Sequence, residues 1–195
     1  MATRIHTKTG WLRGARRVLS PNCDDRPPYA AIDLILIHGI SLPPGHYGGE
    51  FIDQLFTNRL RPEADPYFRN ISHLQVSAHV LICRDGSLTQ YVPFHKRAWH
   101  AGESCFEGRP CCNDFSIGIE LEGTDDAPYA AAQYRELARL AAELMAHWPL
   151  ITAERIVGHC HVAPGRKTDP GPVFDWDGLR KQVKRWQKRW GLTNL

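Results

Sequence analysis

Ten histidines are many for a chain of 195 residues, and several of them stand beside loop-forming residues instead of inside helical patterns. Imidazole nitrogens and carboxylate oxygens are the donors that a catalytic zinc site draws on, about three from the protein with one position left for water. His38 follows an apolar run, and the segment His159-Cys160-His161-Val162-Ala163-Pro164-Gly165-Arg166-Lys167-Thr168-Asp169 adds two imidazoles and a carboxylate. Spacing alone does not say which of these donors would bind a metal. Taken singly, His38 reads more readily as a hydrogen-bonded residue at a strand end; for Glu120 a structural carboxylate at a sheet edge, and for Lys167 a solvated loop lysine, are the alternatives to a role in chemistry.

The elements that would position these residues follow from the hydrophobic pattern. Ile32 to Ile37 is apolar apart from Asp33 and suits a strand buried on both faces, ending at His38. The breaker-rich run Gly39-Ile40-Ser41-Leu42-Pro43-Pro44-Gly45 predicts a loop, and a helix is expected from about Glu50 to Leu60. Ser77 to Cys83 and Ser87 to Val92 flank Arg84-Asp85-Gly86, which predicts a β-hairpin. Phe115 to Leu121 alternates as a strand that puts Ser116, Gly118 and Glu120 on one face, with Glu122 on the same face if the strand continues.

Tyr134, Leu137, Leu140, Ala141, Leu144 and Trp148 recur at helical spacing and predict a helix from about Ala130 to His147. Arg155 to Val157 is a short strand candidate leading into His159. Leu179, Val183, Trp186 and Trp190 mark a C-terminal helix with Asp175 or Asp177 as its N-cap. Glu103 to Asn113, rich in Cys, Gly and Pro, reads as an irregular surface loop.

Composition narrows the class. With 43% hydrophobic and 23% charged residues the chain can bury a core, and its length suits one domain spanning 1–195. A net charge of +3 is too small to indicate a nucleic-acid partner. The basic stretch Arg180 to Arg189, interleaved with Val183, Trp186 and Trp190, reads as the solvated face of an amphipathic helix. Neither a signal-peptide core nor a membrane-length apolar run is present, so a cytoplasmic location is expected, with no membrane partner. Cys23, Cys83, Cys105, Cys111, Cys112 and Cys160 form no C-x-x-C pair and read as reduced thiols.

Several motifs then act together. His38 after its apolar strand, Ile40-Ser41-Leu42-Pro43-Pro44-Gly45, Gln90-Tyr91-Val92-Pro93-Phe94, Lys96-Arg97-Ala98-Trp99-His100-Ala101-Gly102, Asn113 to Gly123, Gly158-His159 and Ala163 to Pro172 occur in order along nearly the whole chain. Together they resemble the N-acetylmuramoyl-L-alanine amidase type 2 family, and within it the AmpD-type cytoplasmic 1,6-anhydro-N-acetylmuramyl-L-alanine amidases.

The resemblance implies an α/β (α+β) fold, a mixed central sheet flanked by helices as in these amidases and the peptidoglycan recognition proteins. It implies a Zn2+ cofactor held by His38, His159 and Asp169, with Glu120 as catalytic acid/base and Lys167 as a second catalytic residue. The implied reaction is hydrolysis of the amide between the muramyl lactyl group and L-alanine of anhydro-muropeptides, in cell-wall recycling and so in the control of β-lactamase induction. Trp99, His100 and Arg166 are candidate substrate contacts, Arg166 for the anionic peptide stem, and His79 is a candidate for contact or packing. The expected partner is this small substrate, bound by a monomer.

Two positions depart from the AmpD-type pattern. His161 stands where Asp is usual, and on a strand it would point the same way as His159 and compete for the metal. Gly39 stands where Asn usually follows the first ligand. Two other functions remain on the table: a wall-binding module without catalysis, which commonly lacks one ligand, and an amidase acting on intact peptidoglycan.

Overall fold

In the computed structural model, residues 4–191 are described. The strands are β1 (Arg16–Arg17), β2 (Cys23–Asp25), β3 (Leu34–Ile40), β4 (Val80–Ile82), β5 (Leu88–Gln90), β6 (Lys96–Ala98), β7 (Cys105–Phe106), β8 (Arg109–Pro110), β9 (Ser116–Glu122) and β10 (Ile156–Gly158). The helices are α1 (Phe51–Phe56), α2 (Ala131–His147), α3 (His159–Val162) and α4 (Trp176–Arg189).

Six strands form the main sheet in the order β1-β5-β4-β9-β3-β10. The pairing is mixed: β4 and β5 are antiparallel, and the other pairs are parallel. The expected mixed sheet flanked by helices is therefore present. Its long central strands β3 and β9 are covered on both sides, which explains their near-continuous apolar character. Ile35, Ile37, Ile117, Ile119 and Leu121 pack into one core with Leu137, Leu140 and Leu144 of α2 and Leu179 and Val183 of α4. Leu34 and Leu36 face the other way, against Ala101, Cys112, Phe115 and Val162.

The hairpin forms as the Asp-Gly pair predicts, with Gly86 at φ +88° where a side chain would be strained. α2 starts one residue later than expected. Its buried Gln133 accepts the Ala130 N–H (2.9 Å) and donates to the carbonyls of Ile82 and Glu122 (both 3.0 Å), tying the helix to the ends of β4 and β9. Asp175 is the residue that caps α4, accepting from the Gly178 N–H at 2.8 Å.

Three expectations are corrected. β3 continues through His38 to Ile40, because Gly39 and Ile40 still pair with Leu121 and Glu122 of β9. α1 is shorter than predicted and stops before Asn58, whose φ of +57° is the left-handed conformation that ends helices. The segment 103–113 is not wholly irregular: it carries the small antiparallel hairpin β7–β8.

Candidate active site

The three parallel strands β10, β3 and β9 deliver their side chains in one row at the carboxyl end of the sheet, where open α/β sheets place ligands. Gly158 pairs with Ile37 and His38 pairs with Glu120. His159, the next residue along, therefore comes up beside His38, with Glu120 on its other flank. Asp169 closes the group from the loop after α3, where the Cys160 N–H donates to the Asp169 carbonyl at 3.0 Å.

His38 Nδ1 and His159 Nδ1 lie 3.0 Å apart, and each lies 3.2 Å from Asp169 Oδ2. A metal bonded at about 2.0–2.1 Å to three corners of a tetrahedron needs them about 3.3 Å apart. The triangle is therefore of metal-binding size after a slight expansion. His159 Nε2–H donates to the Ala101 carbonyl at 3.0 Å, which leaves its Nδ1 lone pair facing the triangle. Burial pushes the His38 imidazole down to about 4, so this ring stays neutral. Neutral imidazoles and a carboxylate make a donor set suited to Zn2+.

Glu120 is buried, and its Oε2 has no hydrogen-bond partner. Burial first and the Asp169 charge second push its carboxyl well above the ordinary value, while Lys167 opposes them. A carboxylic acid of this kind is suited to move protons near neutral pH. Lys167 is exposed and lines the same cleft as His38, Glu120, His159 and Asp169.

The cleft measures about 430 Å³, a size suited to a small molecule. Leu42, Leu55, Phe56, Tyr67 and Ile71 form an apolar side of it. α1, which contributes Leu55 and Phe56, is pinned from behind: Asp53 accepts from the Tyr91 hydroxyl at 2.6 Å and from the Arg16 guanidinium at 2.7 and 2.9 Å. The loop after β3 is held by Glu122, which accepts from the Gly48 and Arg84 N–H groups. Glu122 is thus committed to backbone and does not join the row of site residues.

The candidate substrate contacts fall differently. His100 lines the cleft, but its Nδ1 lies 3.0 Å from His38 Nε2 and its Nε2 lies 3.2 Å from Ser116 Oγ, so no ring nitrogen is left over for a ligand. Trp99 is not among the cleft-lining residues; its backbone N–H donates to Ser77 Oγ at 3.1 Å. Arg166 is turned to the carbonyls of Ala101 (2.6 Å) and Glu103 (2.5 Å), where it braces the carbonyl that receives His159. His79 is fully buried and packs, with its Nδ1 accepting the Gly118 N–H at 3.0 Å.

His161 does not compete for the triangle. The chain turns helical at His159, so a residue two positions on points elsewhere, and His161 Nδ1 accepts the Gly158 N–H at 2.9 Å. The departure at Gly39 also has a local reason: a Cβ there would lie 2.3 Å from the Tyr129 hydroxyl, which donates to the Pro170 carbonyl at 3.1 Å. Tyr129 carries no sequence signal of its own, since its partners are far away along the chain.

The sequence and the fold both have relatives among known proteins. Residues 28–172 match the N-acetylmuramoyl-L-alanine amidase family. The 1,6-anhydro-N-acetylmuramyl-L-alanine amidase AmpD of Salmonella typhimurium (strain SL1344) is 58% identical over 174 residues, 89% of this chain and 92% of that protein. A crystal structure of a selenomethionine AmpD derivative superposes with a TM-score of 0.89 at 55% identity, covering 94% of this chain and 99% of the other. The N-acetylmuramyl-L-alanine amidase AmiD of Escherichia coli, solved with anhydro-N-acetylmuramic acid-L-Ala-D-γ-Glu-L-Lys, aligns with a TM-score of 0.57 at 31% identity, over 80% of this chain and 60% of that one.

Proposed function

The chain belongs to the N-acetylmuramoyl-L-alanine amidase family and is an amidase of its AmpD type, and from that premise we propose that it is a zinc enzyme that releases the peptide from anhydro-muropeptides during cell-wall recycling. The observation that carries this reading is the convergence of His38 Nδ1, His159 Nδ1 and Asp169 Oδ2 within 3.2 Å of one another, beside the unpartnered Oε2 of Glu120. The chain from residue 1 to 195 acts as a single amidase domain in this proposal, as a monomer in the cytoplasm. By consuming muropeptides it would lower the signal that induces β-lactamase.

Zn2+ held by His38, His159 and Asp169 supplies Lewis acidity, polarising the amide carbonyl and acidifying water. Once ionised, Glu120 takes the proton of the attacking water and returns it to the leaving L-alanine nitrogen, first as base and then as acid. Its raised proton affinity suits the second half of that cycle. Lys167 places an ammonium on the same cleft, where negative charge grows on the carbonyl oxygen as the water adds. Leu42, Leu55, Phe56 and Ile71 give the cleft an apolar side, which lowers the polarity around that charge and strengthens its attraction to the ammonium.

The test is to incubate the protein with anhydro-muropeptides and, separately, with purified sacculi, reading the products by mass spectrometry. Release of anhydro-N-acetylmuramic acid, or its disaccharide, from the small substrate alone supports recycling; release from sacculi supports action on intact wall. Binding without cleavage of either overturns the enzymatic reading. Chelation is expected to abolish turnover and added zinc to restore it, and turnover in a metal-free preparation removes the metal from the proposal.

A further inference from the structure

Resting on the zinc reading above, we propose that His100 is a positioning residue: it accepts the Nε2–H of His38 and so fixes that ring with its bare Nδ1 turned to the metal. The assignment follows from hydrogen counting along a chain of contacts that ends at a backbone carbonyl. Ser116 Oγ lies 2.5 Å from the Cys112 carbonyl oxygen. A carbonyl only accepts, so the single hydroxyl hydrogen of Ser116 is spent there.

The lone pairs of Ser116 Oγ then face His100 Nε2 at 3.2 Å, which makes Nε2 the protonated nitrogen of that ring. Among the described residues the ring nitrogens of His100 meet His38 Nε2 and Ser116 Oγ and no carboxylate that would hold a second proton, and a neutral imidazole carries one ring hydrogen. His100 Nδ1 is therefore bare and accepts from His38 Nε2–H at 3.0 Å. The His38 Nδ1 lone pair is left pointing at His159 Nδ1 and Asp169 Oδ2. From the other side the Ala101 carbonyl fixes His159 in the same tautomer. Two carbonyls, of Ala101 and Cys112, thereby aim two lone pairs at one point.

The seat for His100 is cut to the ring. A Cβ at Gly118 would lie 2.5–2.7 Å from His100 Cγ, Nδ1 and Cδ2, so only glycine fits beneath it. Asn113 Oδ1 accepts both the His100 N–H (3.1 Å) and the Ala101 N–H (2.8 Å), fixing the backbone that carries the acceptor for each histidine. The small residues sharing the face of Glu120 on β9 thus have a purpose: Ser116 sets the hydrogen of His100 and Gly118 makes its room. Outer partners of this kind typically change metal affinity by about 10–100-fold when removed.

The experiment compares His100→Asn, whose Oδ1 can replace the Nδ1 acceptor, with His100→Leu, which has nearly the same shape and no acceptor. Two readouts are needed: the zinc dissociation constant by competition with a chromophoric chelator, and the His38 tautomer in metal-free protein from long-range 1H–15N spectra. The wild type and His100→Asn should show the Nε2–H form of His38. His100→Leu should lose that form and bind zinc about 10–100-fold more weakly. Ser116→Ala, which leaves the ring in place, should shift the tautomer part of the way.

An unchanged His38 tautomer and zinc affinity in His100→Leu overturns the proposal. So does equal loss in the Asn and Leu variants, which would mean packing alone, or a raised KM for muropeptide with zinc affinity intact, which would mean substrate contact. If the wild type binds no zinc, the zinc reading fails by itself, and the tautomer measurement still decides the role of His100.

Discussion

Glu120 stands directly opposite His38 across two parallel strands, buried at 8% exposure with its Oε2 unpartnered. A buried carboxyl oxygen that no protein group satisfies, next to three converging acceptor atoms, is costly for the fold and useful for chemistry. Replacing it with an amide should separate those two effects.

Glu120→Gln is expected to lower kcat by about 10²–10⁴-fold while stabilising the metal-free protein. The sign follows from proton linkage. The native carboxyl keeps its proton above pH 4.5 whereas the unfolded chain releases it, so stability falls as pH rises from 4.5 toward the raised native value. Thermal unfolding of chelator-treated protein at pH 5 and pH 7.5 checks this. The advantage of the variant should be larger at the higher pH, and no advantage at either pH would contradict the buried-acid account.

Lys167 is exposed on the cleft and belongs to no ligand pair, so Lys167→Ala should leave zinc stoichiometry intact. On the proposed mechanism it removes one charge that stabilises the growing oxyanion, a loss of about 10²–10³-fold in kcat. Steady-state kinetics with metal analysis of the same sample decides the matter. A fall in KM affinity with kcat unchanged would assign the ammonium to substrate binding instead.

What the sequence revealed and what it hid divide along a physical line. Period-2 alternation correctly put Ser116, Gly118 and Glu120 on one face, because strand geometry leaves no choice. The strand before His38 was legible for the same reason. Direction beyond an element's end was not: His159 opens a single helical turn, too short for any periodicity to show, and so the orientation of His161 was misread. Arg166 is engaged by the Ala101 and Glu103 carbonyls, and Trp99 stands outside the cleft lining, placements set by segments distant in sequence. Such placement depends on tertiary packing and has no local signature.

Gly39 and Tyr129 should behave as a coupled pair. In Gly39→Ala the new Cβ meets the Tyr129 hydroxyl at 2.3 Å, whereas the next nearest atoms are Tyr129 Cζ at 3.6 Å and the Pro170 Cα at 3.7 Å. The single variant is expected to lose about 1–3 kcal/mol from overpacking. Tyr129→Phe removes the clashing atom, and the double variant should recover part of that loss, a coupling of about 0.5–3 kcal/mol. Urea denaturation of the four proteins closes the cycle, and strict additivity would show that the contact is relieved elsewhere.

His79 offers a test of the acid limb of stability away from the proposed ligands. Burial and then the Arg26 charge push its pKa down to about 3, against about 6.5 in an unfolded chain. Above pH 6.5 neither state holds the extra proton, and its contribution is complete. As pH falls toward 3 the unfolded chain gains a proton that the native ring refuses, so stability is lost by up to about 1.4 kcal/mol per pH unit. His79→Asn keeps an acceptor for the Gly118 N–H but does not titrate. Metal-free His79→Asn should be less stable than the parent at pH 7.5, where packing is lost, and should close that gap by pH 5. Urea midpoints that fall in parallel for the two proteins would show that this imidazole is already protonated in the native state.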